Sequence, residues 1–197
     1  MSVVTLQDFS WERMKMAVDA VSERARRISA TLREAGIPHA MVGGNAVAAW
    51  VARVDLEAVR NTKDVDLLIR REDLENTIEA AEKVGFIHKQ VSGIDLFLDG
   101  PEGSVRSAVH LIYAGEKVYP DYLVETPLVT DSEPGPEFQI ATLDALVRMK
   151  LTSFRLKDKL HLLDLLEVGL IDETWQSRVA PELAGRFAEI LEEREKQ

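Results

Sequence analysis

Asp64 and Asp66 stand one residue apart in Asp-Val-Asp-Leu-Leu-Ile, a run that is otherwise apolar. In an extended strand, residues two apart point to the same face, roughly 6–7 Å from each other along it. Two ionised carboxylates placed that close repel unless positive charge sits between them. A divalent cation removes the conflict. Magnesium takes oxygen ligands, usually one or two carboxylates, and fills its other positions with phosphate oxygens and water. The plainer alternative is an exposed strand start where both aspartates are solvated or paired with Lys63.

Gly43-Gly44 bears on that choice. His39-Ala-Met-Val42 reads as a short strand running into the two glycines, and Asn45 can cap a helix over Ala46 to Arg53. Backbone amides at such a helix start attract anions through their N–H groups and the positive helix end. Glycine lets a phosphate approach without a Cβ in the way. An ordinary tight turn would use the same residues. The chain has neither Gly-x4-Gly-Lys-Ser/Thr nor Gly-x-Gly-x-x-Gly, so the two commonest phosphate loops are excluded.

The elements that must position these groups follow from periodicity. Residues 11–35 carry Met14, Val18, Val21, Ile28 and Leu32 at helical spacing, and Gly36-Ile37-Pro38 ends that helix. A strand over 64–69, an amphipathic helix over 71–84 stopped at Gly85, and strands over 86–91, 94–98 and 108–113 come next. The stretch 115–136, rich in proline, glycine and acid, reads as a linker, and everything after it as helix, at about 141–151, 155–168, 172–177 and 181–195. The order predicts an α+β fold: a mixed sheet flanked by helices over 1–127 and a helical C-terminal part over 138–197.

Composition narrows the function classes. The chain has 197 residues, enough for one domain with a helical extension, and no cysteine, which excludes disulfides, thiolate zinc sites and cysteine nucleophiles. No apolar run approaches the ~20 residues of a membrane span. Met1-Ser-Val-Val-Thr-Leu-Gln-Asp8 lacks the basic start and apolar core of a signal peptide, so a cytoplasmic protein is expected. The net charge of −10 disfavours unaided binding to long nucleic-acid duplexes, which draws on many cationic contacts.

Val42-Gly43-Gly44-Asn45-Ala46 followed by Asn61-Thr62-Lys63-Asp64-Val65-Asp66-Leu67 resembles the hydrophobic-Gly-Gly and Thr-x-Asp-hydrophobic-Asp signature of the nucleotidyltransferase superfamily. More narrowly it is similar to the bacterial abortive-infection (AbiE-type) toxin nucleotidyltransferases, over about residues 37–115. The resemblance implies that Gly43, Gly44, Asn45, Thr62 and Lys63 line a nucleoside triphosphate site, and that Asp64 and Asp66 bind Mg2+. The segment from Leu143 to Leu166 is similar to the helical Lys-Leu … Arg-x-Lys/Arg-Asp … Asp-Leu stretch of those relatives. It implies phosphate contacts from Lys150 and Arg155, within a basic group that also holds Arg148, Lys157 and Lys159. A solvated helix face with ion pairs to Asp158 or Asp164 is the competing reading.

One position departs from the pattern. Where the superfamily places a third carboxylate, Val109-His110-Leu111 offers an imidazole, a poor magnesium ligand. Asp95 is the acid that could replace it if its strand lies alongside. The expectation is therefore transfer of a nucleoside monophosphate to an unassigned hydroxyl on an RNA end, a protein or a small molecule. The alternative is a weakened nucleotide-binding module of a toxin–antitoxin or regulatory system, with an antitoxin or a second copy as partner. His39, His88 and His161 lack zinc spacing, Ser92 and Ser104 lack a nucleophile elbow, and Tyr113, Tyr119 and Tyr122 either stack a base or pack a loop.

Overall fold

The computed structural model describes residues 10–196, so the expectation drawn from residues 1–8 lies outside the described residues. Seven strands form one sheet in the order β3-β4-β5-β2-β1-β7-β6. In chain order they are β1 (His39–Val42), β2 (Val65–Ile69), β3 (Phe86–Val91), β4 (Ile94–Asp99), β5 (Val109–Tyr113), β6 (Ser132–Pro134) and β7 (Gln139–Ala141). The sheet is mixed: β2 runs parallel to β5 and β1 parallel to β7, and the other neighbours are antiparallel.

The helices are α1 (Trp11–Glu34), α2 (Gly43–Val51), α3 (Leu74–Lys83), α4 (Leu143–Ser153), α5 (Leu156–Glu167) and α6 (Ala184–Glu195). α1 and α3 cover one face of the sheet. Val21, Ala25, Ile28 and Leu32 of α1 meet Val65, Leu67 and Ile69 of β2 and Val109 and Leu111 of β5. Met14 and Val18, on the expected apolar stripe, are exposed, so the stripe is used only in its C-terminal half. On the opposite face Ala40, Val42 and Leu68 pack with Ala141 and Ala145. A helical core then joins α2, α4, α5 and α6 through Val47, Leu146, Leu162, Leu165 and Phe187. With both faces covered, β2 needs apolar side chains at nearly every position. Asp66 is the exception, on the face of Leu68 but one step nearer the strand's start.

The stretch 115–136 is not purely a linker. It contains β6, and β7 follows at once to pair with β1, so the sheet reaches as far as Ala141. Strands of three residues carry too little alternation to be read from sequence. The C-terminal helices fall at the expected places, although Glu173–Ser177 and Pro181–Leu183 are 3-10 turns. Among the described residues no helix is long and apolar enough to cross a membrane.

Candidate active site

The site begins where β1 ends. Val42 passes directly into α2 with Gly43 at φ +68°, a conformation that L side chains rarely adopt. A Cβ on Gly43 would stand 1.8 Å from Asp66 Oδ2, and one on Gly44 would stand 2.9 Å from Thr62 Oγ1. Gly43 therefore makes room for Asp66 on β2, and Gly44 for Thr62 on the loop that leads into it. Gly43→Ala is expected to fail twice, through the strained φ and through the collision with Asp66. Strain of this kind costs about 1–3 kcal/mol, readable as a lower urea midpoint.

The sequence predicts Asn45 as the cap of α2, and the structure does not place it there. The helix starts two residues earlier, and the Asn45 amide donates to the Asp64 carbonyl at 2.7 Å. No side chain caps the start of α2 and its first turn has no acid, so its positive end faces the same cavity as Gly43 and Gly44. Thr62, Lys63, Asp64 and Asp66 line that cavity, which has a volume of about 750 Å3. Lys63 is not the partner of the aspartates. Lys157, from α5, approaches Asp64 at 4.0 Å instead.

Strand register decides the remaining acids. β2 and β5 run parallel with Asp66 beside His110, and His110 Nδ1 lies 3.4 Å from Asp66 Oδ1. The hydrogen bond to Asp66 raises the His110 pKa, against burial and with help from the Asp66 and Asp64 charges. Asp95 does not take the third carboxylate's place. On β4 it is Leu96 that sits opposite His110, so the two-residue period turns Asp95 to the other face. There it accepts from Tyr113 Oη at 2.6 Å and from Gln90 Nε2 at 3.4 Å, and it pairs with His88 Nε2 at 2.8 Å. Burial pushes the Asp95 carboxyl up, but these hydrogen bonds outweigh it and hold the group below its ordinary value.

The expected basic group divides. Lys150, Arg155 and Lys157 line the cavity. Arg148 turns to Asp131, and Lys159 turns to Glu189 and Glu193. The residue that organises the first set is Asp158, fully buried at 0% exposure. It receives Lys150 Nζ at 3.1 Å and Arg155 Nε at 2.8 Å, and it closes a capping box with the Arg155 backbone at the start of α5. An acid three residues after a helix start was the signal for it in the sequence. Burial would push the Asp158 carboxyl up, but the Arg155 hydrogen bond and the Lys150 charge bring it down to about 2. Burial also lowers Lys150, and the charges of Asp158 and Asp66 only partly offset this. The ammonium is thus short of negative charge, a deficit that a phosphate would fill. His161 lines the same cavity; burial and the Lys150 charge lower it to about 4, so it stays neutral. Asp164 is held by Arg60.

No family model matches the sequence, and no curated protein matches it either. Solved structures do match it. The solution structure of the antibiotic-resistance factor ANT(2'')-Ia superposes with a TM-score of 0.57 at 15% identity, over 91% of this chain and 97% of that one. An antigenic nucleotidyltransferase-like protein from Paracoccidioides brasiliensis gives 0.54 at 15% identity, over 91% of each chain. The chain has a nucleotidyltransferase fold. A third structure, ANT(2'')-Ia in complex with adenylyl-2''-tobramycin, superposes at 0.50 with 16% identity, over 89% of this chain and 98% of that one. At these identities the nucleotidyltransferase likeness speaks for the architecture, and the case for chemistry rests on the cavity.

Magnesium can be tested against the donor set. Asp64 and Asp66 offer carboxylates that are 29% and 22% exposed, open enough to the cavity to reach an ion. Among the described residues no group of three or more histidines and acids is arranged to enclose a metal by itself. Two carboxylates with the remaining positions left to phosphate oxygens and water fit magnesium.

Proposed function

We propose that this chain is a nucleotidyltransferase, moving a nucleoside monophosphate from a nucleoside triphosphate to a hydroxyl acceptor. The observation that carries the reading is the meeting of Asp64 and Asp66 with the Gly43-Gly44 helix start and with Lys150, Arg155 and Lys157 around one cavity. Four of these seven residues come from the two sequence motifs, and the other three are cations in a protein of net charge −10.

Asp64 and Asp66 would hold Mg2+, which supplies charge neutralisation at the phosphates when bound. The amides at the start of α2, with Lys150 and Arg155, take the phosphate oxygens and fix the chain of phosphorus atoms. The acceptor oxygen then forms a bond to the α-phosphorus, the bond to the bridging oxygen breaks, and pyrophosphate leaves with that oxygen. Asp66 holds the Nδ1 side of His110, which leaves Nε2 as the ring nitrogen able to accept the acceptor's proton. A cavity of about 750 Å3 is of the size that binds small molecules, and a fold neighbour is seen with an adenylylated tobramycin. A small-molecule hydroxyl therefore ranks first among acceptors, ahead of an RNA end or a protein.

The second reading is an AbiE-like nucleotide-binding module of a toxin–antitoxin pair, with slow transfer or none, working with an antitoxin or as a homodimer. His110 favours it, because an imidazole stands beside Asp66 where a third carboxylate would complete the metal site. Two measurements separate the readings. Mg2+ with ATP raises the melting temperature under both. Transfer of label from an α-labelled triphosphate to an aminoglycoside, RNA or protein panel is fast under the first and slow or absent under the second. His110→Asp, which supplies the missing acid, is expected to enlarge the Mg2+-dependent melting shift and, under the second reading, to raise transfer at least tenfold.

A further inference from the structure

Above the cations the cavity has a wall that phosphate chemistry does not use. Residues 116–126 form a loop closed at its base. Thr126 N donates to the Glu116 carbonyl at 2.9 Å, Glu116 N donates to Thr126 Oγ1 at 3.3 Å, and Thr126 Oγ1 donates to the Tyr113 carbonyl at 2.5 Å. Arg71 grips Glu116 through two contacts of 2.6 Å, with its guanidinium stacked 3.7 Å above the Tyr113 ring. Within the loop Tyr122 N donates to the Tyr119 carbonyl at 3.0 Å, a turn that brings the two rings together edge-to-face. Their centroids are 5.2 Å apart at 73°.

Neither ring anchors the loop. That task falls to Val124, which packs on the helical core, and to the buried Thr126. Tyr119 and Tyr122 belong to none of the three apolar clusters of the described residues, and Tyr119 is 40% exposed. Both rings line the cavity. Arg155 connects them to the chemistry, since it lies within electrostatic reach of both Tyr122 and Asp66. An aromatic pair that shares a cavity with an arginine is the arrangement a nucleoside requires: its phosphates on the cation, its flat heterocycle on the ring.

We propose that the Tyr119–Tyr122 pair is the nucleobase subsite, stacking the heterocycle of the donor triphosphate and holding purines more tightly than pyrimidines. The proposal rests on the nucleotide reading above. Stacking accepts any base because every base has a π face, and the larger purine buries more area.

The test compares ATP, CTP and inorganic tripolyphosphate, each with Mg2+, on wild type, Tyr122→Leu, Tyr122→Phe and Tyr119→Leu by calorimetry. Tyr122→Leu is expected to weaken ATP roughly tenfold or more, in line with the loss of one aromatic–base stack. Tripolyphosphate affinity stays at the wild-type value, and Tyr122→Phe keeps most of the ATP affinity. Independently of any variant, 2-aminopurine riboside triphosphate is expected to lose fluorescence on binding wild type. Unchanged ATP affinity in both leucine variants, or an unquenched bound 2-aminopurine, overturns the subsite while the nucleotide reading stands. An equal loss for ATP and tripolyphosphate also overturns it, because the loop would then only shape the phosphate site. If wild type binds neither compound, the nucleotide reading itself fails and takes the subsite with it.

Discussion

Asp66→Ala is expected to abolish Mg2+-dependent triphosphate binding, with at least a hundredfold loss in affinity or in transfer, while the fold survives. Asp66 occupies the tightest point of the site. It lies against Gly43 on one side and His110 on the other, and its charge reaches Lys150 and Arg155. Removing it takes away one of the two carboxylates that would hold the metal, and magnesium does not replace such a ligand with an alkyl group. The side chain contributes little to the apolar core, since Leu67 and Leu68 carry the burial of β2 on its two faces. The apo protein also loses the repulsion between Asp64 and Asp66, so its melting temperature should stay within a few degrees of wild type. Asp64→Ala follows the same course, with Lys157 released at the same time. Calorimetry with ATP and Mg2+, beside a melt of the apo protein, reads both halves. A variant that binds ATP as tightly as wild type removes the metal assignment.

Asp158→Ala carries the largest expected stability effect. The carboxylate is fully buried and receives both Lys150 and Arg155. Without it Lys150, itself buried, keeps a charge with no neighbouring counter-ion on α5. Breaking a buried pair from one side costs roughly 3–5 kcal/mol. Against a total of about 5–15 kcal/mol for a domain, that is a large drop in the urea midpoint. Triphosphate affinity should fall with it, because the two cations lose the group that orients them. The same carboxylate predicts an acid limit. Its folded value of about 2 lies below the ordinary 3.8, so its contribution is fully present above 3.8 and is lost as pH falls toward 2. At 1.36 kcal/mol per pH unit, the contribution is about 2 kcal/mol. Urea titrations at pH 6 and pH 3 should show about half of that contribution, roughly 1 kcal/mol, lost in wild type, and that share should be missing from the pH dependence of Asp158→Ala. A variant as stable as wild type would mean that the buried triad is not formed.

The fold and half of the site were legible in the residues. The helix spacing of Val21, Ile28 and Leu32, the apolar density of β2 and the glycine at position 85 specify elements through local periodicity and turn chemistry. Gly43-Gly44 and Asp64-x-Asp66 are equally local, since each motif shapes its own stretch of backbone. The α+β class followed from the order of elements. Asn45 was placed in the right neighbourhood with the wrong partner, because a helix-start residue and a residue that reaches across to Asp64 look alike until the helix boundary is known.

What only the tertiary structure decided concerns pairs far apart in the chain. Strand register, set by the pairing of β4, β5 and β2, places His110 beside Asp66 and turns Asp95 to the opposite face. A shift of one residue would exchange those roles, and no single strand records its neighbour's register. Asp158, Lys150 and Arg155 lie on and between two helices, and whether they face solvent or one another depends on how α4 meets α5. The sequence thus determined which chemical groups are present and on what elements. The packing of the sheet and of the C-terminal helices determined which of them share a cavity, because desolvation and charge compensation arise only when those surfaces close on each other.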